Sequence, residues 1–338
     1  MNVAFIGLGA IGLPMALQIQ GAGHTVVGIE LSEAGRQTAQ AQHLEASGDW
    51  RAALEADVVV VMVATPAQLA ALVDQFSQAT PGQHWVIMST VGPAAVREQG
   101  ARLASRGIVV VDAPVTGGVA RAQTGSLLIF ASGTAQALDH VSPVLRAMGS
   151  VKPVGAQVGD GQAIKVVNQH LCSVHLVAAA EALNLARSLE LDPAQVLALI
   201  EQGAGGSWML SDRGPRMLEG TDTRVTSMVD IFVKDSGLVA EAARACDAQV
   251  PLLDIAHQRF TQATEAGLGK RDDSRVIETW ALPRPDAVAI PKGGSPPATT
   301  TIMFGVSHER HSISLNPTRR QCRQGLLRLD DRVGSGEL

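Results

Sequence analysis

Tyrosine is missing from this 338-residue chain, and all aromatics together make up only 3% of it. Its cores must therefore be packed by Ala, Leu and Val, side chains that suit close helix–helix contact. Cysteine is nearly missing too. Cys172, Cys246 and Cys322 are isolated and odd in number, which excludes a disulfide framework or a CxxC pair and reads as the reduced thiols of a cytoplasmic protein. The nine histidines are scattered without ligand spacing, so no metal site is expected. No charge of one sign dominates. A net charge of −5 gives no reason to expect nucleic acid or an anionic membrane as a partner. The longest uninterrupted apolar run, Val58 to Ala64, falls far short of the roughly 20 residues that span a bilayer. The first strand starts almost at Met1, which leaves no room for a signal peptide.

What is present begins with glycine. The short apolar run Val3-Ala4-Phe5-Ile6 leads into Gly7, Leu8, Gly9, Ala10, Ile11 and Gly12, and a helix is expected from about Pro14. A strand that runs through glycines into a helix start aims unpaired N–H groups and the positive end of the helix dipole at one spot, where a pyrophosphate fits. Gly7 allows the tight turn, Gly9 a close approach of phosphate, and Gly12 close packing of helix on strand. The second apolar stretch, His24 to Ile29, ends in Glu30, about 20 residues past the glycines, where a carboxylate accepts from a ribose 2′-OH and repels a 2′-phosphate. That predicts NAD rather than NADP. Two alternatives stand beside it: Glu30 as a solvated strand-end carboxylate, and Arg36 one turn later reaching a phosphate.

Hydrophobic residues make up 46% of the chain, enough for two sizeable cores, and the length exceeds one average domain. Val58 to Val63, Trp85 to Met88, Ile108 to Val111 and Leu127 to Phe130 read as buried strands alternating with helices. Such alternation predicts an α/β Rossmann fold, a doubly wound parallel sheet covered on both faces. Beyond Gly161 the pattern changes: Ala163 to Leu189 keeps helical periodicity without a proline and reads as a long interdomain helix. Asp192 before Pro193 marks another helix start, and helical stretches follow over about Val229 to Cys246 and Leu252 to Ala266. The expected domains are thus 1–162 (dinucleotide-binding), 163–282 (all-helical, for substrate and oligomerisation) and an irregular tail, 283–338, rich in Pro, Gly, Thr and Arg. A basic arm contacting a partner is the alternative for the tail.

Four segments occur in order: Gly7-Leu8-Gly9-Ala10-Ile11-Gly12-Leu13-Pro14-Met15-Ala16; Asp112-Ala113-Pro114-Val115-Thr116-Gly117-Gly118; Gly159-Asp160-Gly161 leading to Lys165 and Asn168; and Phe232-Val233-Lys234-Asp235. Together they resemble the β-hydroxyacid dehydrogenases, the family of 3-hydroxyisobutyrate dehydrogenase and tartronate semialdehyde reductase, from Asn2 to about Leu282. Thr116, Gly117 and Gly118 leave a strand at the carboxyl edge of the sheet, where a hydroxyl and two amides can grip a carboxylate. The family pattern usually has serine at the position of Thr116; threonine keeps the hydroxyl and narrows the pocket. An ordinary glycine turn is the alternative.

Lys165 lies near the start of the long helix, with Asn168 and Gln169 on the same face. A lysine there can take the proton of a substrate hydroxyl while the carbon gives up hydride. Working near neutral pH requires its pKa to fall by about 3 units from 10.4, roughly 4 kcal/mol, and burial in a cleft pushes that way. Asn168 or Gln169 can hold the reacting hydroxyl; many relatives carry asparagine at both positions. The alternative for Lys165 is a snorkelling surface lysine. The resemblance further implies that Lys234 approaches the cofactor from the helical domain and that Thr90, in Ser89-Thr90-Val91-Gly92-Pro93, lies near the nicotinamide ribose. Trp208 lines the substrate pocket or is a buried core tryptophan.

Within the family, the segments from Lys165 to Gln169, Val174 to Leu183, Ser207 to Met209 and Val229 to Asp235 look most like L-threonate dehydrogenases. The resemblance therefore implies NAD-dependent oxidation of a small carboxylate-bearing hydroxy acid, L-threonate at its C2 hydroxyl, by a homodimer or homotetramer. Tartronate semialdehyde reductase and 3-hydroxyisobutyrate dehydrogenase share the same grip and lysine. A non-catalytic NAD-binding protein is the reading from another class, and an imine-reducing relative is disfavoured because those enzymes generally lack the lysine.

Overall fold

The computed structural model describes residues 1–76, 81–220 and 223–281; the expected irregular tail, 283–338, lies outside them. Among the described residues nine strands form one sheet: β1 (Asn2–Ile6), β2 (Thr25–Ile29), β3 (Glu45–Ser47), β4 (Val58–Val61), β5 (His84–Ile87), β6 (Val109–Asp112), β7 (Val115–Thr116), β8 (Leu127–Ser132) and β9 (Gly149–Gly155). Their order is β3-β2-β1-β4-β5-β6-β8-β7, with β9 also on β8. The helices interleaved with them are α1 (Gly12–Gly21), α2 (Glu33–Gln40), α3 (Pro66–Gln75), α4 (Pro93–Ala104), α5 (Gly118–Gln123) and α6 (Ala135–Met148). The crossover between β1 and β4 puts the glycine turn at the point where the strand order reverses, the usual ligand crevice of such sheets.

The continuous valine runs are explained by burial on both faces. Val3, Phe5, Val58, Val60, Val86 and Met88 enter one core with α1 and α6, and the alternate residues Ala4, Ile6, Val59, Val61, Trp85 and Ile87 enter the other. The sheet differs from the expectation in one respect. β8 runs antiparallel to both β6 and β7, and only then parallel to β9. Only the two-residue β7 and the short α5 separate β6 from β8 instead of a full crossover helix, so the chain comes back in the opposite direction.

After the sheet, α7 (Asp160–Ser188), a helix of 29 residues, runs into α8 (Pro193–Ile200), α9 (Trp208–Leu218), α10 (Val229–Ala245) and α11 (Pro251–Ala263). A third core joins Leu176, Ala180 and Leu183 of α7 to Phe232 and Phe260. The Asp192 carboxylate caps α8 by accepting from the Ala194 N–H, with Pro193 in the first turn, as the sequence predicts. α9 is the helix that periodicity does not reveal. It carries Gly214 and Pro215, and a Cβ on Gly214 would sit 2.7 Å from Leu197 Cδ1, so the glycine serves the packing of α9 on α8 rather than a helix end.

Candidate functional site

The glycine turn is built as its residue types require. Gly7 has φ +96°, and a Cβ there would lie 2.3 Å from the Met62 carbonyl oxygen. A Cβ on Gly12 would lie 1.9 Å from the Gly7 carbonyl oxygen, so helix and turn touch. Gly9 is different. Nothing stands within 4 Å of its would-be Cβ, and among the described residues the N–H groups of Gly9, Ala10 and Ile11 meet no acceptor of the chain. That open face, ahead of the positive end of α1, fits a dinucleotide pyrophosphate. A cleft of about 500 Å³ opens beside it, with Gly9 and Ala10 on one wall and Arg224 on another.

Glu30 sits past the end of β2, half-buried and held by two backbone amides. Its Oε2 accepts from the Leu8 N–H at 3.0 Å and its Oε1 from the Ser32 N–H at 2.9 Å. Arg36 is committed elsewhere: its guanidinium donates to the carbonyls of Glu30 and Leu31, each at 2.8 Å, and pairs with Glu33.

The long helix starts under the control of the sheet. Asp112, the last residue of β6 and fully buried, aims its Oδ2 at the N-terminus of α7, accepting from the Gly159 N–H at 3.1 Å and the Gln162 N–H at 2.9 Å. A carboxylate there satisfies orphan donors and faces the positive end of the dipole. Burial raises its pKa nonetheless, against the pull of those hydrogen bonds. The side chain of Gln162, also fully buried, reaches back: its Oε1 accepts from the N–H groups of Val91 and Gly92, both at 3.0 Å, and its Nε2 donates to the Ser89 carbonyl at 2.9 Å and to Asp112 Oδ1 at 3.0 Å. Thus one side chain fixes the Thr90 loop to the foot of α7. Sequence reasoning misses Gln162, because a polar residue with partners some 70 positions away has no local signature.

One turn on, Lys165 is buried at 5% exposure, which removes the snorkelling alternative. Its Nζ donates to Gln169 Oε1 at 2.8 Å, and the same oxygen accepts from Asn168 Nδ2 at 2.9 Å. Asn168 also donates to Cys172 Sγ at 3.4 Å. Burial lowers the Lys165 pKa; the neighbouring Asp235 and Cys172 oppose that, and Lys234 adds to it. From α10, Asp235 accepts from Gln169 Nε2 at 2.5 Å, while its other oxygen stands 2.7 Å from Lys234 Nζ as an ion pair. Lys234 then donates to the Thr90 carbonyl at 2.9 Å. The structure therefore gathers Thr90, Lys165, Asn168, Gln169 and Lys234 into one connected cluster.

Thr116 ends β7, and Gly117 (φ +130°) and Gly118 (φ +67°) make the turn into α5. Pro114, just before them, lies against Gly161 at the foot of α7: a Cβ on that glycine would come within 2.9 Å of the proline ring. Trp208 is not a core residue. It is 48% exposed at the start of α9, with the Arg213 guanidinium 5.5 Å from its ring centre, and Arg213 is itself close enough to act on Cys172. Among the described residues no group of three or more His, Cys, Asp or Glu could hold a metal, and no helix is long and apolar enough to cross a membrane.

Known proteins match this chain from residue 2 to residue 280. Residues 2–166 match the NAD binding domain of 6-phosphogluconate dehydrogenase, and residues 159–280 the NAD-binding domain of NADP-dependent 3-hydroxyisobutyrate dehydrogenase. L-threonate dehydrogenases of Cupriavidus necator and Haemophilus influenzae are 38% and 35% identical, over 82% and 87% of this chain and 96% and 98% of theirs. A solved 3-hydroxyisobutyrate dehydrogenase from Salmonella typhimurium superposes with a TM-score of 0.77 at 33% identity, covering 82% of this chain and 99% of its own. The chain belongs to the 3-hydroxyisobutyrate dehydrogenase-like family and is a hydroxyacid dehydrogenase with a nicotinamide-dinucleotide-binding fold.

Proposed function

We propose that this enzyme oxidises the C2 hydroxyl of L-threonate with NAD, Lys165 serving as general base. The observation that carries the chemistry is the buried amine of Lys165, fixed at 2.8 Å from Gln169 Oε1 at the head of the long helix. A bound nicotinamide supplies the hydride acceptor. Lys165 in its neutral form takes the hydroxyl proton as the carbinol becomes a carbonyl, and burial favours that neutral form. Asn168, whose amide reaches both Gln169 and Cys172, orients the hydroxyl. Gln169 has its carbonyl oxygen taken by Lys165 and Asn168 and its amide drawn to Asp235, so it acts on substrate through the lysine more than by direct contact. Thr116, Gly117 and Gly118 grip the substrate carboxylate, and Trp208 bounds the far side of the pocket.

The glycine turn from Gly7 to Gly12, with Thr90 and Lys234, holds the dinucleotide. Glu30 supports NAD over NADP: a 2′-phosphate would meet its carboxylate while Arg36 is occupied by two carbonyls and Glu33. The exposed apolar residues Ile164, Val167 and Leu171 form a stripe on α7 that suits burial against a second copy, as in a homodimer or homotetramer.

L-threonate is the first choice because relatives bearing that name are similar over nearly their whole length. The Salmonella neighbour, named for 3-hydroxyisobutyrate, supports the second reading. Initial rates with L-threonate, D-erythronate, glycerate and 3-hydroxyisobutyrate, each with NAD and with NADP, separate them. The highest kcat/KM is expected with L-threonate and NAD. Turnover of none would overturn all four as substrates and with them the proposed reaction.

A further inference from the structure

We propose that Asp235 is a positioning residue for the reaction, holding Lys165 through the Gln169 amide and balancing the two amines of the site; the inference rests on the assignment of Lys165 as the base. Asp235 is buried at 4% exposure and Gln169 at 8%, so the link runs through protein rather than water. Its geometry is directional. Gln169 Nε2 donates to Asp235 Oδ2 at 2.5 Å, which fixes the amide with its oxygen toward Lys165 Nζ at 2.8 Å. Flipping that amide would set two donors against each other at the lysine and an oxygen against a carboxylate. The single carboxylate thereby selects one orientation of Gln169.

The second function is electrostatic. Asp235 is flanked by Lys234 at 2.7 Å and, beyond Gln169, by Lys165. The charged groups acting on Lys165 are Asp235 and Lys234 from α10, with the Cys172 thiol on its own helix. Arg213 of α9 acts on Cys172 in turn. Burial works against the ammonium form of Lys165 and Asp235 opposes that, so the carboxylate favours the ammonium that forms once the proton has been taken from substrate. Lys234 spans from Asp235 to the Thr90 carbonyl, so the same carboxylate is tied to the loop beside the dinucleotide.

The test is the pH dependence of kcat/KM for alcohol oxidation, where the acid limb reports protonation of the base in the free enzyme. Replacing Asp235→Asn removes the charge that favours the ammonium form of Lys165. The limb is expected to move to lower pH by about half a unit or more, with kcat reduced about ten-fold or more and the NADH dissociation constant, by calorimetry, within about three-fold of wild type. Asp235→Glu should bring the limb back toward its wild-type position. Gln169→Leu removes the amide oxygen that accepts from Lys165 and that Asp235 orients, and should likewise move the limb to lower pH, which keeps the proposal testable if the Asp235 variants do not fold. A limb that stays in place in Asp235→Asn, or in Gln169→Leu where the Asp235 variants do not fold, overturns the proposal, whatever happens to kcat. Near-wild-type turnover by Lys165→Ala would instead overturn the assignment of the base and this inference with it.

Discussion

Replacing Gln162 by leucine keeps the size of the side chain and deletes every polar contact that ties the Thr90 loop to α7. Four hydrogen bonds disappear: those to the Val91 and Gly92 amides, the Ser89 carbonyl and Asp112 Oδ1. All lie where Gln162 has no exposed surface, so water does not replace them without opening the joint. At about 1 kcal/mol net for each lost bond, and more for the one to a carboxylate, the change destabilises the fold by about 4–5 kcal/mol. With a urea dependence of about 3 kcal/mol per molar for a protein of this size, the unfolding midpoint should drop by about 1.5 M. The assay is urea denaturation followed by tryptophan fluorescence and circular dichroism together, with NADH affinity measured on the folded variant. Affinity should fall as well, because Thr90 loses the anchor that sets its loop. A midpoint within about 0.3 M of wild type would refute the reasoning, since it would mean that these buried groups find partners as good without Gln162.

Glu30→Arg should raise kcat/KM with NADP relative to NAD by about ten-fold or more, as a guanidinium replaces a carboxylate beside the ribose; unchanged selectivity in steady-state rates would place Glu30 away from that hydroxyl. Gly12→Ala should abolish dinucleotide binding in calorimetry and lower the melting temperature, because its Cβ would lie 1.9 Å from the Gly7 carbonyl oxygen; a variant that binds NADH like wild type would contradict the turn geometry. Lys165→Met should inactivate the enzyme and stabilise it at neutral pH by about 1 kcal/mol. The sign follows from burial, which holds the folded-state pKa of Lys165 below its ordinary 10.5. Between that lowered value and 10.5 the unfolded chain binds more protons, so this group's contribution weakens the fold at neutral pH and is relieved only as pH rises through that range. Thermal unfolding across that range should show less pH dependence in the variant than in wild type, and equal slopes would contradict it.

The parts of this molecule legible in the sequence are those whose constraints are local. Gly7 and Gly12 are glycine because two carbonyl oxygens leave no room for a Cβ, and this steric demand stays within a short stretch of chain next to β1. The central strands are legible because β4, β5 and β6 are buried on both faces, as their continuous apolar runs announce. Periodicity also marks α7, though the helix begins at Asp160 rather than Ala163, since its first turn is capped by a residue of β6 and not by its neighbours. β9 carries Lys152 and Pro153 and has no fully buried residue, so neither alternation nor apolar content marks it as a strand. β3 has only three residues, too few to show a period.

The site divides along the same line. Lys165, Asn168 and Gln169 stand at helical spacing and could be grouped from the chain alone. Lys234 at the Thr90 carbonyl joins residues 144 positions apart, and only the placement of α10 beside the loop after β5 reveals it. The same is true of Asp112. Within a family motif it reads as the end of a strand, whereas in the folded chain its carboxylate caps the helix that carries Lys165. Long-range polar contacts of this kind leave no periodic trace, because each is a single residue whose partner the topology supplies.

The central claim is that the buried Lys165 amine removes the hydroxyl proton from a small hydroxy acid. Its most direct test is the initial rate of NADH formation from L-threonate and NAD by wild type and by Lys165→Ala, with NADH affinity measured in parallel. The account predicts turnover by wild type, a loss of about a thousand-fold or more in kcat for the variant, and an NADH dissociation constant close to wild type. A variant that turns over L-threonate at close to the wild-type rate would contradict it.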